Sequence, residues 1–118
     1  MTGDRLFERE SIPRKVDQAM LEKLTRETFT GNLNTRFRVV PEGADAVEAE
    51  LVEVKPGRST PRQEQFSLLF RGPQDVPLQQ GMFRLEHDKM GAFDLFMVPV
   101  RKDEQGFYYE AVFNRLLQ

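Results

Sequence analysis

The stretch 82–98, MFRLEHDKMGAFDLFMV, places apolar residues at alternate positions on both sides of Asp88-Lys89-Met90-Gly91. Alternation over this length is the pattern of a half-buried strand, and a glycine closing a short polar run marks a hairpin loop. With Lys89, Met90 and Gly91 as a three-residue loop, and Gly91 left-handed, Asp88 is predicted to pair with Ala92. Phe83 then faces Met97, Leu85 faces Leu95 and His87 faces Phe93, all on one side. Arg84 with Phe96 and Glu86 with Asp94 share the other side. A slip of one residue would set Leu85 against Asp94 and Arg84 against Leu95, so the pattern is expected to choose this register.

Downstream, Phe107–Asn114 is the next strand, reached through the polar turn Arg101–Gly106. Pairing Met97 with Tyr109, Leu95 with Ala111 and Phe93 with Phe113 keeps its inner face apolar. The outer face then collects Phe96, Val98, Tyr108 and Val112. A sheet that is apolar on both sides has to be covered on both. The cover is either a helix of the same chain or a partner, and these four residues are the candidate partner interface.

Upstream, Leu33–Pro41 and Asp45–Val54 read as a hairpin turning at Glu42-Gly43-Ala44. With Pro41 opposite Asp45, Val39 faces Val47, Phe37 faces Ala49 and Thr35 faces Leu51. On the outer side Arg38 meets Glu48 and Arg36 meets Glu50, two opposite-charge pairs that support the register. Lys55–Pro61 is a turn-rich loop. Gln65–Phe70 is a strand with Phe66, Leu68 and Phe70 inward and Leu69 outward, and Arg71-Gly72-Pro73 stops it.

Before the strands, Ser11 and Pro13 can open a helix. Val16, Met20 and Leu24, with Leu21 beside them, give Arg14–Leu24 an apolar stripe. Thr25 can cap one further turn, which Thr30-Gly31-Asn32 ends. The predicted fold is mainly β: a small antiparallel six-stranded barrel or curled sandwich of meandering hairpins with an N-terminal helix. Residues 1–19 form an extension or arm, and 20–118 a single β-rich domain.

The chain has 118 residues, enough for one modest core, with a net charge of −2 that gives no overall bias toward nucleic acid or anionic membrane. Ten phenylalanines and no tryptophan point to a core built on Phe. There is no cysteine, which excludes disulfides, thiolate nucleophiles and thiolate metal sites. The charged start MTGDRLFERE lacks the apolar core of a classical secretory signal, and Leu95–Val100 is too short to span a bilayer, so a cytoplasmic setting is expected.

Chemistry is sparse. His87 is the single histidine, and on an inner face beside Phe93 it reads as a structural residue. Glu86, Asp88 and Asp94 cluster at the hairpin without the ligand order of a calcium loop, so no metal is expected. Glu86 opposite Asp94 is the one acid pair the register produces, with Arg84 diagonal to neutralise it. No nucleophile elbow, phosphate loop or dinucleotide fingerprint is present, and nothing pairs His87 with Ser11, Ser59 or Ser67. Lys55, Arg58, Arg62 and Arg71 form a basic stretch, but Glu42, Asp45, Glu48, Glu50 and Glu53 lie on the adjacent strand and would repel a phosphate backbone. Nucleic acid is therefore not the expected partner.

Taken together, FSLLFRGP (66–73), QGMFRLEHDKMGAFDLFMVPV (80–100) and GFYYEAVFN (106–114) resemble an uncharacterised family of small bacterial proteins. MLEKLTRETF (20–29) and NTRFRV (34–39) are similar to the start of its members, whereas residues 1–19 depart from the pattern. They are either an extension or the product of a start placed upstream of Met20. The resemblance brings no activity, cofactor or catalytic residue. It implies a small accessory protein, associated with genes for phage-tail-like proteins. The expected function is a non-enzymatic structural or interaction module that binds a protein partner or itself, without cofactors. The alternative is a barrel that carries a small ligand in a Phe-rich interior.

Overall fold

The alternating segments do form strands, and the sheet they build closes on itself. The computed structural model describes residues 24–58 and 60–116. Among these residues there is one short helix, α1 (Arg26–Thr30), followed by β1 (Arg36–Val40), β2 (Val47–Pro56), β3 (Gln63–Gly72), β4 (Gly81–His87), β5 (Gly91–Asp103) and β6 (Gly106–Leu116). The strands are antiparallel in the order β1-β2-β3-β6-β5-β4, and β4 pairs back to β1 to close a barrel. Closure leaves no sheet edge where the ladders are complete.

The β1–β2 register is the expected one, with Phe37 opposite Ala49 and Val39 opposite Val47 on the inside. Outside, Arg38 lies opposite Glu48 and Arg36 opposite Glu50, but the ion pairs run diagonally. Arg36 reaches Glu48 at 3.2 Å, while Glu50 takes Arg71 of β3 at 2.8 Å. Arg38 turns to Glu86 at 3.3 Å because β1 also borders β4. β3 presents Phe66, Leu68 and Phe70 inward as expected, and runs on through Gly72.

Two registers differ from expectation. In β4–β5, His87 pairs with Gly91, Leu85 with Phe93, Phe83 with Leu95 and Met82 with Phe96. Each partner is two residues from its predicted place, so every side chain keeps its face while changing its neighbour. The cause is the His87 ring, whose Nδ1 accepts from the Lys89 and Met90 amides at 3.0 and 3.2 Å and closes the loop one residue early. Gly91 does take the left-handed conformation, at φ 81°. In β5–β6, Val98 pairs with Glu110 and Pro99 with Tyr109, and a bulge at Val100 then sets Arg101 against Tyr108. Proline tolerates that place because a bulge needs no ladder donor from it. The expected turn Arg101–Gly106 shortens to Glu104-Gln105, since Asp103 accepts the Gln105 amide at 2.8 Å.

The interior is phenylalanine-rich: Phe29, Phe37, Phe66 and Phe70 are fully buried with Leu51, Leu68, Leu85, Met97, Val39 and Tyr109. Most of the expected helix Arg14–Leu24 lies outside the described residues, though its last residue, Leu24, is buried in the core. Thr25 caps α1 as expected, its hydroxyl accepting from the Thr28 amide at 3.1 Å, and Gly31 ends it. Five residues cannot hold a helix alone, so packing stabilises it. Its anchor is Phe29, with ring centroids 5.4 Å from Phe113, 5.8 Å from Phe93 and 6.1 Å from Phe66. Among the described residues the β5–β6 pairing ends at Val98–Glu110, and Phe29 joins the rings of the two strands past that point. α1 thus packs against the inside of the barrel, not its outer face. Elsewhere in the barrel wall, the buried Tyr109 hydroxyl accepts from the Leu78 amide at 3.0 Å and ties down the 73–80 connection.

Phe29→Ala is expected to cost about 3–5 kcal/mol, read as a lowered urea midpoint, because the removed ring fills the centre of an aromatic cluster. Gly106 has φ 148°, and a Cβ there would collide with the Gly72 carbonyl oxygen. Gly106→Ala should therefore cost about 3 kcal/mol or more. Gly43→Ala, at φ 76° with open space around it, should cost about 1 kcal/mol in the same unfolding assay.

Candidate functional site

The outer face of the barrel is mostly ionic. The corrected β4–β5 register puts Arg84 opposite Asp94 and Glu86 opposite Ala92, so the expected Glu86–Asp94 acid pair does not form. Glu86 instead takes Arg84 at 3.2 Å and Arg38 at 3.3 Å. The hydrogen bonds from Arg84 and then Arg38 hold its carboxyl below the usual range. This is an exposed charge network carried by the neighbouring strands β1 and β4.

One row breaks that pattern. Met82 of β4 stands directly opposite Phe96 of β5. Val112 of β6, beyond the Val98–Glu110 pair where the β5–β6 ladder ends among the described residues, points outward opposite Ser67 of β3. Met82 is 66% exposed, Phe96 49% and Val112 56%. Single exposed apolar side chains are ordinary on a protein surface; a directly paired Met and Phe, both exposed, are not. Val98, half-buried, extends the row on β5. Arg84, Asp94 and Glu110 frame it with charges of both signs.

Of the four residues expected at this face, Phe96 and Val98 lie on β5 and Val112 on β6, with Phe96 and Val112 exposed and Val98 half-buried. Tyr108 is not part of it. The bulge at Val100 brings Arg101 opposite Tyr108, and the guanidinium lies 4.2 Å from the ring centroid. The Tyr108 hydroxyl donates to Asp103 at 2.9 Å, and the residue is left 5% exposed. The Gln105 amide, then Tyr108, the Gly106 amide and Arg101, keep the Asp103 carboxyl below its ordinary value. Met82 takes the place of Tyr108 in the patch. Sequence reasoning missed it because the predicted register set Arg84, not Met82, against Phe96. The one available signal was the histidine immediately before the loop, able to accept the loop amides and so shorten it.

His87 itself is buried, with its ring 4.2 Å from that of Phe37 and its Nε2 2.8 Å from the Thr35 hydroxyl. Burial pushes its pKa down. Both ring nitrogens are engaged within the fold, as expected of a structural residue. Among the described residues no group of three or more histidine, aspartate or glutamate side chains is placed to hold a metal ion. None of their helices is long and apolar enough to cross a membrane. Of the basic stretch, Arg71 is committed to Glu50 and to Gln105 at 3.2 Å.

A family model described as a domain of unknown function, DUF6916, matches residues 24–113, so the chain belongs to that family. The matched span begins at the buried Leu24 and takes in α1 and all but the last residues of β6. No curated protein and no solved structure matches the chain.

Because the row is solvent-facing, Met82→Ser and Phe96→Ser should each change stability by no more than about 0.5 kcal/mol in urea unfolding. Tyr108→Ala, which strips the ring from under Arg101 and the hydroxyl from Asp103, should cost about 2 kcal/mol or more.

Proposed function

We propose that this member of the family is a non-enzymatic protein-contact module that docks through the outer row Met82–Phe96–Val112, with Val98 at its side. The observation behind this reading is the exposed cross-strand pair Met82–Phe96, with Val98 beside it on β5 and Val112 outward on β6, next to a surface rich in ion pairs. A contact surface of this kind has an apolar centre and a polar rim. Here Phe96 and Met82 are the anchors, and Arg84, Asp94 and Glu110 form the rim. The matching surface on the partner is apolar at its centre and bears both charge signs, which a second copy of this chain also satisfies. The resemblance noted above suggests the setting: an accessory subunit of a larger assembly, of phage-tail-like type.

The reading as a ligand-carrying barrel draws less support, because the inner-face rings of Phe29, Phe37, Phe66 and Phe70 are fully buried against one another. No arrangement among the described residues favours a catalytic reading over the contact module. His87 is engaged by backbone and hydroxyl, and Glu86 and Asp88 are paired with arginine.

A photo-crosslinking residue placed at 82, at 96 and, as a control, at the exposed turn residue 104 tests this in cells of the source organism. Discrete crosslinks are expected from 82 and 96, absent from 104, and lost on adding Val112→Asp. Light scattering on the purified chain tells a self-contact from a foreign partner. Equal labelling from all three positions, or none from any in a chain that stays monomeric, would overturn the reading.

A further inference from the structure

His87 is the residue where three parts of the chain meet. Its Nδ1 lies 3.0 and 3.2 Å from the Lys89 and Met90 amide nitrogens. Both are donors, so Nδ1 has to be unprotonated. The proton of the neutral ring is therefore on Nε2, which donates to the Thr35 hydroxyl at 2.8 Å. Thr35 passes its own hydrogen to the Asn32 carbonyl at 2.7 Å, and the Asn32 side chain donates to the Thr28 carbonyl at 2.9 Å. One chain of hydrogen bonds thus runs from the β4–β5 loop through the imidazole to the segment that joins α1 to β1. Every step has one donor and one acceptor only while the ring is neutral.

We propose that His87 is a pH-sensitive latch: its neutral ring fastens the loop Asp88–Met90 to the α1–β1 segment, and its protonation releases that loop from the barrel. An imidazolium has hydrogen on both nitrogens, and Nδ1–H would then point at two N–H groups in a site with little access to water. The loop has to move away for the charge to be accepted. Met90, which packs partly buried against the core, leaves with it and uncovers part of the barrel interior.

The charged groups facing the ring are few. From the loop come Asp88, which favours the proton, and Lys89, which opposes it; from β1 comes Arg38, which also opposes it. Thr35 and Phe37, which also touch the ring, carry no charge. Asp88 is itself drawn to Arg38 at 3.5 Å, which blunts its pull on the imidazole. Burial works in the same direction as Lys89 and Arg38. An unlatched, solvated histidine titrates near about pH 6.5. Above that both forms are neutral and the latch holds in full. Below it the open form binds the proton first, so the opening equilibrium rises by up to about tenfold per pH unit until the lowered pKa of the latched ring is passed.

The single histidine makes the test direct. Nitrogen NMR of the full chain is expected to show an unprotonated Nδ1 and a protonated Nε2 at neutral pH. Amide-exchange protection factors, corrected for intrinsic rates, should fall for Lys89 and Met90 by up to about tenfold per pH unit below about pH 6.5, while Leu68 in the central ladder stays protected. In His87→Asn the side-chain carbonyl can accept the same two amides and has no proton to gain, so protection there should not depend on pH. A protonated Nδ1 at neutral pH overturns the latch. So does protection at Lys89 and Met90 that stays constant as the pH falls below about 6.5. These readouts come from the wild-type chain and decide the matter even if His87→Asn does not fold.

Discussion

The two hydrogen bonds that His87 accepts from the Lys89 and Met90 amides fix where β4 turns into β5. The surface of the barrel follows from that choice. Closing the loop one residue earlier moves each partner by two and brings Met82 against Phe96 and Arg84 against Asp94. The same ring nitrogen that sets the register needs a neutral imidazole, so the geometry of the sheet and the protonation of one side chain are linked.

Inside the barrel the corresponding constraint is filling. Six strands enclose a space that β-strand side chains largely fill, but β5 and β6 part beyond Val98 and Glu110 among the described residues. Phe29 meets that need from outside the sheet. A five-residue helix has no stability of its own, yet the aromatic cluster with Phe66, Phe93 and Phe113 holds it, and the Thr25 and Gly31 caps shape its ends. Leu24, the first described residue, is already buried. The family match begins at the same residue.

The proposed contact face is what remains once these demands are met. Outward positions near β1, β2 and β3 are taken by Arg36, Glu48, Glu50 and Arg71 in ion pairs that span neighbouring strands. Surface pairs of this kind contribute little to stability, but they keep the face wet and unattractive to partners. The row Met82–Phe96–Val112 lacks such pairs. Tyr108, which by its position on β6 could have extended it, is instead folded under Arg101 and fastened to Asp103. The molecule thus buries the Tyr108 ring under a guanidinium and leaves Phe96 of the neighbouring strand half exposed.

The amino-acid sequence by itself determined the six strands, the face each side chain occupies and the β1–β2 register, because alternation has a period of two and the Glu42-Gly43-Ala44 turn admits one closure. It also determined the Thr25 cap and the phenylalanine core. What only the tertiary structure decided was which residues meet across β4–β5 and β5–β6. A shift of two positions leaves the alternation intact, so composition and pattern are blind to it. The choice is made by a side chain accepting loop amides at His87 and by a bulge at Val100, neither of which leaves a periodic trace. The candidate face was legible in part for the same reason. Phe96, Val98 and Val112 follow from parity alone, whereas Met82 joins and Tyr108 departs through register and bulge.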